Sequence, residues 1–162
     1  MSEALGRHAV ALASVREVAA RAGATRVVLL LDEGEGAEAT MIEWAEGGTF
    51  ELTEAGVTES VGPASLAGVA PAVAPDVRPL PPSALTVDPD TGELAAPLGA
   101  LAGLAGAVVE LAAAFGGRSV ATAEFGTRDP DRPLALAARP GEPVVARLAG
   151  DTFVFPDGWP EP

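Results

Sequence analysis

The sequence predicts an α+β domain: a mainly antiparallel sheet of about five to seven strands covered by two helices. Three observations carry this. Two stretches repeat apolar residues at helical spacing, 5 to 22 and 98 to 115. The remaining apolar segments are short and joined by Gly-, Pro- and Asp-rich turns too tight for parallel crossovers. The chain has 162 residues, 48% of them hydrophobic, which suits one core. We therefore read residues 1–162 as a single domain.

Ser2 can cap a first helix from about Glu3 to Ala22, with Leu5, Ala9, Leu12, Val15, Val18 or Ala19, and Ala22 as its apolar stripe. Arg16 and Arg21 suit its C-terminal half, and Gly23 its left-handed close. Thr25 to Leu31 reads as a strand. Its run Val27–Leu31 is apolar at every position, so both faces ask for cover. Asp32-Glu33-Gly34-Glu35-Gly36 turns the chain into a strand from Thr40 to Ala45, with Ile42 and Trp44 on one face. Glu46-Gly47-Gly48 leads to Thr49–Thr53, where Phe50 and Leu52 alternate with polar residues.

Residues 61–97 hold eight of the 15 prolines, which excludes regular helix over most of the segment. A short strand is expected at Ala84–Val87. The second helix runs from Leu98 to Phe115 and closes on Gly116-Gly117. Strands follow at Ser119–Phe125, Leu134–Ala138 and Val144–Leu148, with Arg139-Pro140-Gly141-Glu142 as a turn. Thr152–Phe155 can form one more. Both halves thus read helix, Gly, strands, an αβββ–αβββ pseudo-repeat. An offset of 93 aligns Leu5 with Leu98, Glu17 with Glu110, Gly23 with Gly116 and Val27 with Val120. The proline-rich segment or a second subunit is expected to cover the open side of Val27–Leu31.

Composition excludes much chemistry. The chain has no Lys, Asn, Gln, Tyr or Cys, and Ile42 is its sole isoleucine. A GC-rich genome accounts for these gaps better than heat adaptation, which usually enriches Lys. Without Lys there is no Schiff base or P-loop lysine, and without Cys no thiol nucleophile or disulfide. A Ser-His-Asp triad would have to use His8, the one histidine. We expect His8 to be a solvated helix-terminal residue.

Ten arginines scattered among 23 acids give a formal charge of -13, which argues against nucleic acid and anionic membranes as partners. Ala9–Val15 is too short for a signal-peptide core and is flanked by Arg7 and Arg16. Leu98–Phe115 is apolar except for Glu110 and contains Gly99-x-x-x-Gly103, a pattern found in membrane helix dimers. It is Ala/Gly-rich and lacks flanking anchors, so it reads as a buried helix. A cytoplasmic, bacterial setting is the expectation.

The order of helix, then Gly23-Ala24-Thr25-Arg26-Val27-Val28-Leu29-Leu30-Leu31-Asp32, then meandering strands resembles the GAF sensor domains and the related profilin-like, roadblock-type modules. The resemblance covers residues 3 to 155 in element order. It lacks the Asn and Lys of the cyclic-nucleotide GAF motif, the bilin-binding Cys, and room for a C-terminal helix. It implies a scaffold that dimerises or binds a ligand, and transfers no functional residues.

Phe125 to Pro133 is the most distinctive polar stretch. Arg128 and Arg132 alternate with Asp129 and Asp131 on a proline-stiffened loop. Two guanidinium groups there can fork onto a partner's carboxylate or phosphate, or the charges can pair among themselves. Trp159, between Gly158 and Pro160, can anchor a partner or fold back onto the domain. Asp88-Pro89-Asp90-Thr91-Gly92-Glu93 suggests calcium, but the sixth position from Asp88 is Glu93 and the twelfth Gly99, where an EF-hand needs Gly and Glu. It reads as a turn. Nine of the 23 acids lie between Asp32 and Glu59, with Glu43 and Glu51 reading as a solvated face.

The leading expectation is a non-enzymatic regulatory or protein-interaction module, acting as a homodimer and without catalytic residues, metal or cofactor. The first alternative is a small-ligand sensor of GAF type with 61–97 as its lid. The second is a small carboxylate-dependent enzyme with two facing acids, at least one of raised pKa. The charge of -13 predicts self-repulsion, so the melting temperature should rise between very dilute buffer and moderate salt. An unchanged or lower value in a salt series would refute that.

Overall fold

The computed structural model describes residues 3–31, 39–45, 48–79, 86–87, 94–95, 98–116, 118–127, 133–148 and 151–155. Helix α1 spans Glu3–Ala22 and α2 Leu98–Ala114. The strands are β1 (Arg26–Leu31), β2 (Thr40–Ala45), β3 (Phe50–Glu54), β4 (Val57–Val61), β5 (Thr86–Val87), β6 (Leu94–Ala95), β7 (Val120–Phe125), β8 (Leu134–Ala138), β9 (Val144–Leu148) and β10 (Asp151–Phe155). This is the α+β class expected, with two helices and an antiparallel sheet.

Eight strands form the main sheet in the order β10-β9-β8-β7-β1-β2-β3-β4. Every neighbouring pair is antiparallel. β5 and β6 pair separately. Each helix is followed by a four-stranded meander, and the meanders join where β1 pairs with β7. In that seam Arg26 faces Glu124, Val28 faces Thr122 and Leu30 faces Val120.

Each half holds one more strand than the three expected. β4 lies where no strand was anticipated, and β10 is the optional strand at 152–155. β4 was hidden by its turn. Ala55 and Gly56 have φ of 51° and 79°, the two positive values of a type I′ hairpin loop. Ala-Gly is a weak sequence signal for that turn compared with Asn-Gly, and this chain has no Asn.

Strand periodicity divides the sheet into two faces. One carries Val27, Leu29 and Leu31, Ile42, Phe50 and Leu52, Ala121, Ala123 and Phe125, and Leu134 and Leu136, all buried. The helices cover it, α1 over β1 to β3 and α2 over β7 and β8. From α1 come Leu5, Leu12, Val15, Ala19 and Ala22, and from α2 Leu101, Leu104, Val108 and Leu111. Ala9, assigned to the stripe from the sequence, is half-buried, and His8 takes its place at the spacing 5, 8, 12, 15.

Residues 63–79 of the proline-rich segment lie on the helix layer. A 3₁₀ turn at Pro63–Leu66 buries Leu66. The Ala72 N–H donates to Ser14 Oγ at 2.8 Å, and that hydroxyl donates to the Val10 carbonyl at 2.8 Å. Arg21 Nη1 donates to the Pro75 carbonyl at 3.5 Å. Val77 packs beside Gly103, and Pro79 beside Gly23. Residues 61–79 therefore strap the outside of the helices. Most of the segment from 80 to 97, also expected as a cover for the open side of β1, lies outside the described residues. Apolar Leu66, Val73 and Val77 draw the strap toward the core, where the helices are.

Helix α1 closes on Gly23, with its N–H and that of Ala24 both donating to the Ala19 carbonyl at 3.0 and 3.1 Å. Gly23 has φ +72°, and a Cβ there would stand 2.7 Å from Pro79 Cβ. Gly23→Ala should destabilise the fold by about 1–2 kcal/mol through the left-handed backbone. Displacing Pro79 adds to that. Chemical denaturation of the two proteins checks it, and equal midpoints would show that the strap and the cap both relax freely.

Candidate functional site

The second face of the sheet is built by the alternate residues of the same strands. Three cross-strand rows describe it. The first is Arg147, Ala135, Glu124, Arg26 and Ala45, from β9 to β2. The second is Val145, Ala137, Thr122, Val28, Glu43, Glu51 and Ser60, from β9 to β4. The third is Val120, Leu30, Met41, Thr53 and Thr58, with Arg139 flanking Val120 at the end of β8. The helices lie on the other face, α1 over β1 to β3 and α2 over β7 and β8. Antiparallel sheets often leave one face to water, but such faces are normally polar. Here Val28, Leu30, Met41, Val120 and Val145 form a half-buried apolar centre.

Arg26 organises the polar part. Its Nη1 donates to Glu124 Oε2 at 3.0 Å on β7, and its Nε donates to Glu43 Oε2 at 3.1 Å on β2. The hydrogen bonds to Glu124 and then Glu43 hold the guanidinium in its charged form. One arginine thus bridges three strands across the seam.

Charge is unevenly divided on either side of that bridge. On the β8–β9 side stand Arg147 and Arg139, and Arg139 Nε lies 4.0 Å from Glu142 Oε2 at the rim. On the β2–β3 side Glu51 stands directly across from Glu43. Arg147 and Glu51 are exposed and have no ion-pair partner among the described residues. A shallow cavity of about 440 Å³ lies over β7 to β9, floored by Val120, Thr122, Ala135, Ala137 and Val145. Arg139 and Arg147 stand on its walls.

A second cavity, of about 410 Å³, lies beside α1 and is lined by Arg7, His8, Leu31, Phe115 and Ser119 among others. His8 is buried, with 8% exposure, not the solvated residue expected. Its Nε2 lies 2.6 Å from Glu54 Oε2. Arg7 pairs with the other oxygen of Glu54. Both positions were legible in periodicity. His8 falls between Leu5 and Leu12 on the helix stripe, and Glu54 continues the Phe50, Leu52 alternation onto the covered face. The Ser119 hydroxyl donates to the Gly116 carbonyl at 2.7 Å, closing the turn after α2.

Arg128, Asp129, Asp131, Arg132 and Trp159, the site residues named from the sequence, lie outside the described residues, as does the turn 88–93. Among the described residues, no three His, Asp or Glu side chains gather as a metal site, and no helix is long and apolar enough to cross a membrane. Comparison with protein-family models, curated proteins and solved structures finds no match for this chain.

The His8 hydrogen bond, with help from Arg7, holds the Glu54 carboxyl below the usual carboxylate range. A carboxylate lowered in the folded state contributes stability above its unfolded-state pKa and loses it as pH falls through the folded value. The melting temperature should therefore fall on acidification through and below the ordinary glutamate range. Glu54→Gln should flatten that part of the curve. Parallel slopes for both proteins would remove Glu54 from the account.

Proposed function

We propose that this chain is a non-enzymatic interaction module that works as a homodimer, with the open face of the sheet as its contact surface. One observation carries the reading: the strands place Val28, Leu30, Met41, Val120 and Val145, all half-buried, on the face opposite the helices. A contiguous apolar patch rimmed by charge is the usual mark of a protein contact. A second subunit was one of the two covers expected for that face. The likeness in element order to dimerising sensor and roadblock-type scaffolds fits the same reading, and a cytoplasmic bacterial setting is proposed with it.

The alternatives have less support. A ligand sensor with a proline-rich lid needs a cavity beneath that segment, and neither cavity described is lined by residues 61–79. A carboxylate enzyme needs an acid of raised pKa facing another. Glu54 is shifted the other way, and on the open face, where Glu51 stands across from Glu43, Arg26 pairs with Glu43 and with Glu124.

Sedimentation at micromolar concentration should give a dimer mass. Leu30→Arg places a charge at the centre of the patch and should weaken association at least tenfold, while circular dichroism stays unchanged, because Leu30 points away from the helix-covered core. A wild-type protein that stays monomeric at 100-fold higher concentration sinks the proposal.

A further inference from the structure

The cavity over β7 to β9 has its cause in the strand sequence. β8 sends Leu134 and Leu136 into the core and presents Ala135 and Ala137 on the open face. Ala137 lies between Thr122 of β7 and Val145 of β9, and the small alanines leave a notch of about 440 Å³. Arg147 stands across from Ala135 at one end of the notch. Arg139, two residues past Ala137, stands at the other. The two arginines are four residues apart along the strand direction, about 13 Å. Arg147 is exposed and has no ion-pair partner among the described residues, and Arg139 has Glu142 at 4.0 Å. Such a notch suits an apolar group with an anion on either side.

One segment of this chain has that pattern. Residues 156–162, outside the described residues, read Pro-Asp-Gly-Trp-Pro-Glu-Pro. They carry two carboxylates, one large aromatic ring and no cation. A proline biases the residue before it toward extended backbone, which applies here to Phe155, Trp159 and Glu161. Alternate residues of an extended chain share one side, so that form aligns Asp157, Trp159 and Glu161, about 13 Å from first to last. The spacing matches that of the two arginines, with the ring over the notch between them.

The strand order supplies the reach. Phe155, the last residue of β10, pairs with Val144, so the chain leaves the sheet at the end of β9 that adjoins the Arg139–Glu142 turn. β9 lies one strand spacing from β10 and β8 two, about 5 and 10 Å. Trp159, four residues past Phe155, can stand up to about 13 Å from it. Asp157 comes first, at the Arg139 end, and Glu161 last. We propose that residues 156–162 fold back over β9 and β8 of their own chain, seating Trp159 against Val145, Ala135 and Ala137, with Asp157 toward Arg139 and Glu161 toward Arg147. Burial of the indole supplies the main attraction, and guanidinium groups beside the ring add to it. The contact covers Val145 and leaves Val28, Leu30 and Met41 at the seam to a second copy, so it does not rest on the homodimer reading. It makes the tail a resident occupant that any other acidic ligand of the notch must displace.

Fluorine NMR of the full chain labelled with 5-fluorotryptophan tests this, because Trp44 and Trp159 are its two tryptophans. Trp159→Phe assigns the signals, and the half-buried Trp44 of β2 reports on the fold. The Trp159 signal should lie away from its position in denaturant and be shielded from a soluble paramagnetic agent. Arg139→Glu with Arg147→Glu should return it to the denatured position and leave Trp44 in place. Asp157→Arg with Glu161→Arg, which alters no residue of the sheet, should release Trp159 in the same way, so the result does not hang on the sheet variant folding. Combining all four reversals should restore the shielding. A wild-type Trp159 signal at its denatured position overturns the proposal, as does one that neither pair of reversals moves. Shielding that grows with protein concentration places the tail on a second subunit and overturns the contact within one chain.

Discussion

The antiparallel seam between β1 and β7 is the constraint on which the rest of this structure depends. Each half of the chain makes a helix and a meander that cannot bury both the helix and its sheet face alone. Joining the meanders edge to edge removes one exposed edge from each and creates one continuous sheet. It also brings the helices side by side, so that one core runs from Leu5 to Ala146 across both halves. Val27, Leu29, Ala121 and Ala123 lie at the middle of that core, where the four alternating side chains on the covered face are fully enclosed.

The same seam places polar chemistry with economy. Side chains large enough to fill the helix–sheet gap are needed mainly at the centre, where Leu, Val and Phe supply them. Elsewhere, hydrogen bonds of a few buried or half-buried polar side chains add to the packing. Ser14 accepts the backbone of the strap, and Glu54 receives His8 and Arg7. A buried histidine on an otherwise apolar stripe is tolerated because a carboxylate meets it. The strap itself needs no regular structure. Proline reduces the entropy lost when it orders, and Leu66, Val73 and Val77 attach it to the core.

On the other face of the sheet, alternation produces a different outcome. A one-sided sheet would carry polar residues there throughout, yet β1 at the seam keeps valine and leucine on both sides. The polar residues that are present are arranged about Arg26, with cations toward β9 and carboxylates toward β3. That polarity across the strands gives the face a direction, which a featureless polar surface would lack. In a chain of net charge -13, that cationic edge is a local exception.

Much of this was legible in residue order. The helix stripe from Leu5 to Ala22, the left-handed Gly23, the strands at 40–45, 134–138 and 144–148, and the apolar character of both sides of Val27–Leu31 follow from spacing and turn chemistry alone. The strand at Val57–Val61 was not legible, because its Ala55-Gly56 turn has an indistinct signature and its outward residues are polar. His8 and Glu54 lay in view of the periodicities, but their pairing joins residues 46 positions apart. The location of the strap and the Arg26 bridge depended on which strands become neighbours. Local periodicity sets what each segment buries and does not say against which distant segment it is buried. Sequence thus determined the elements, their faces and the missing chemistry, whereas the tertiary structure decided the strand order, the side that stays open and the charges that meet on it.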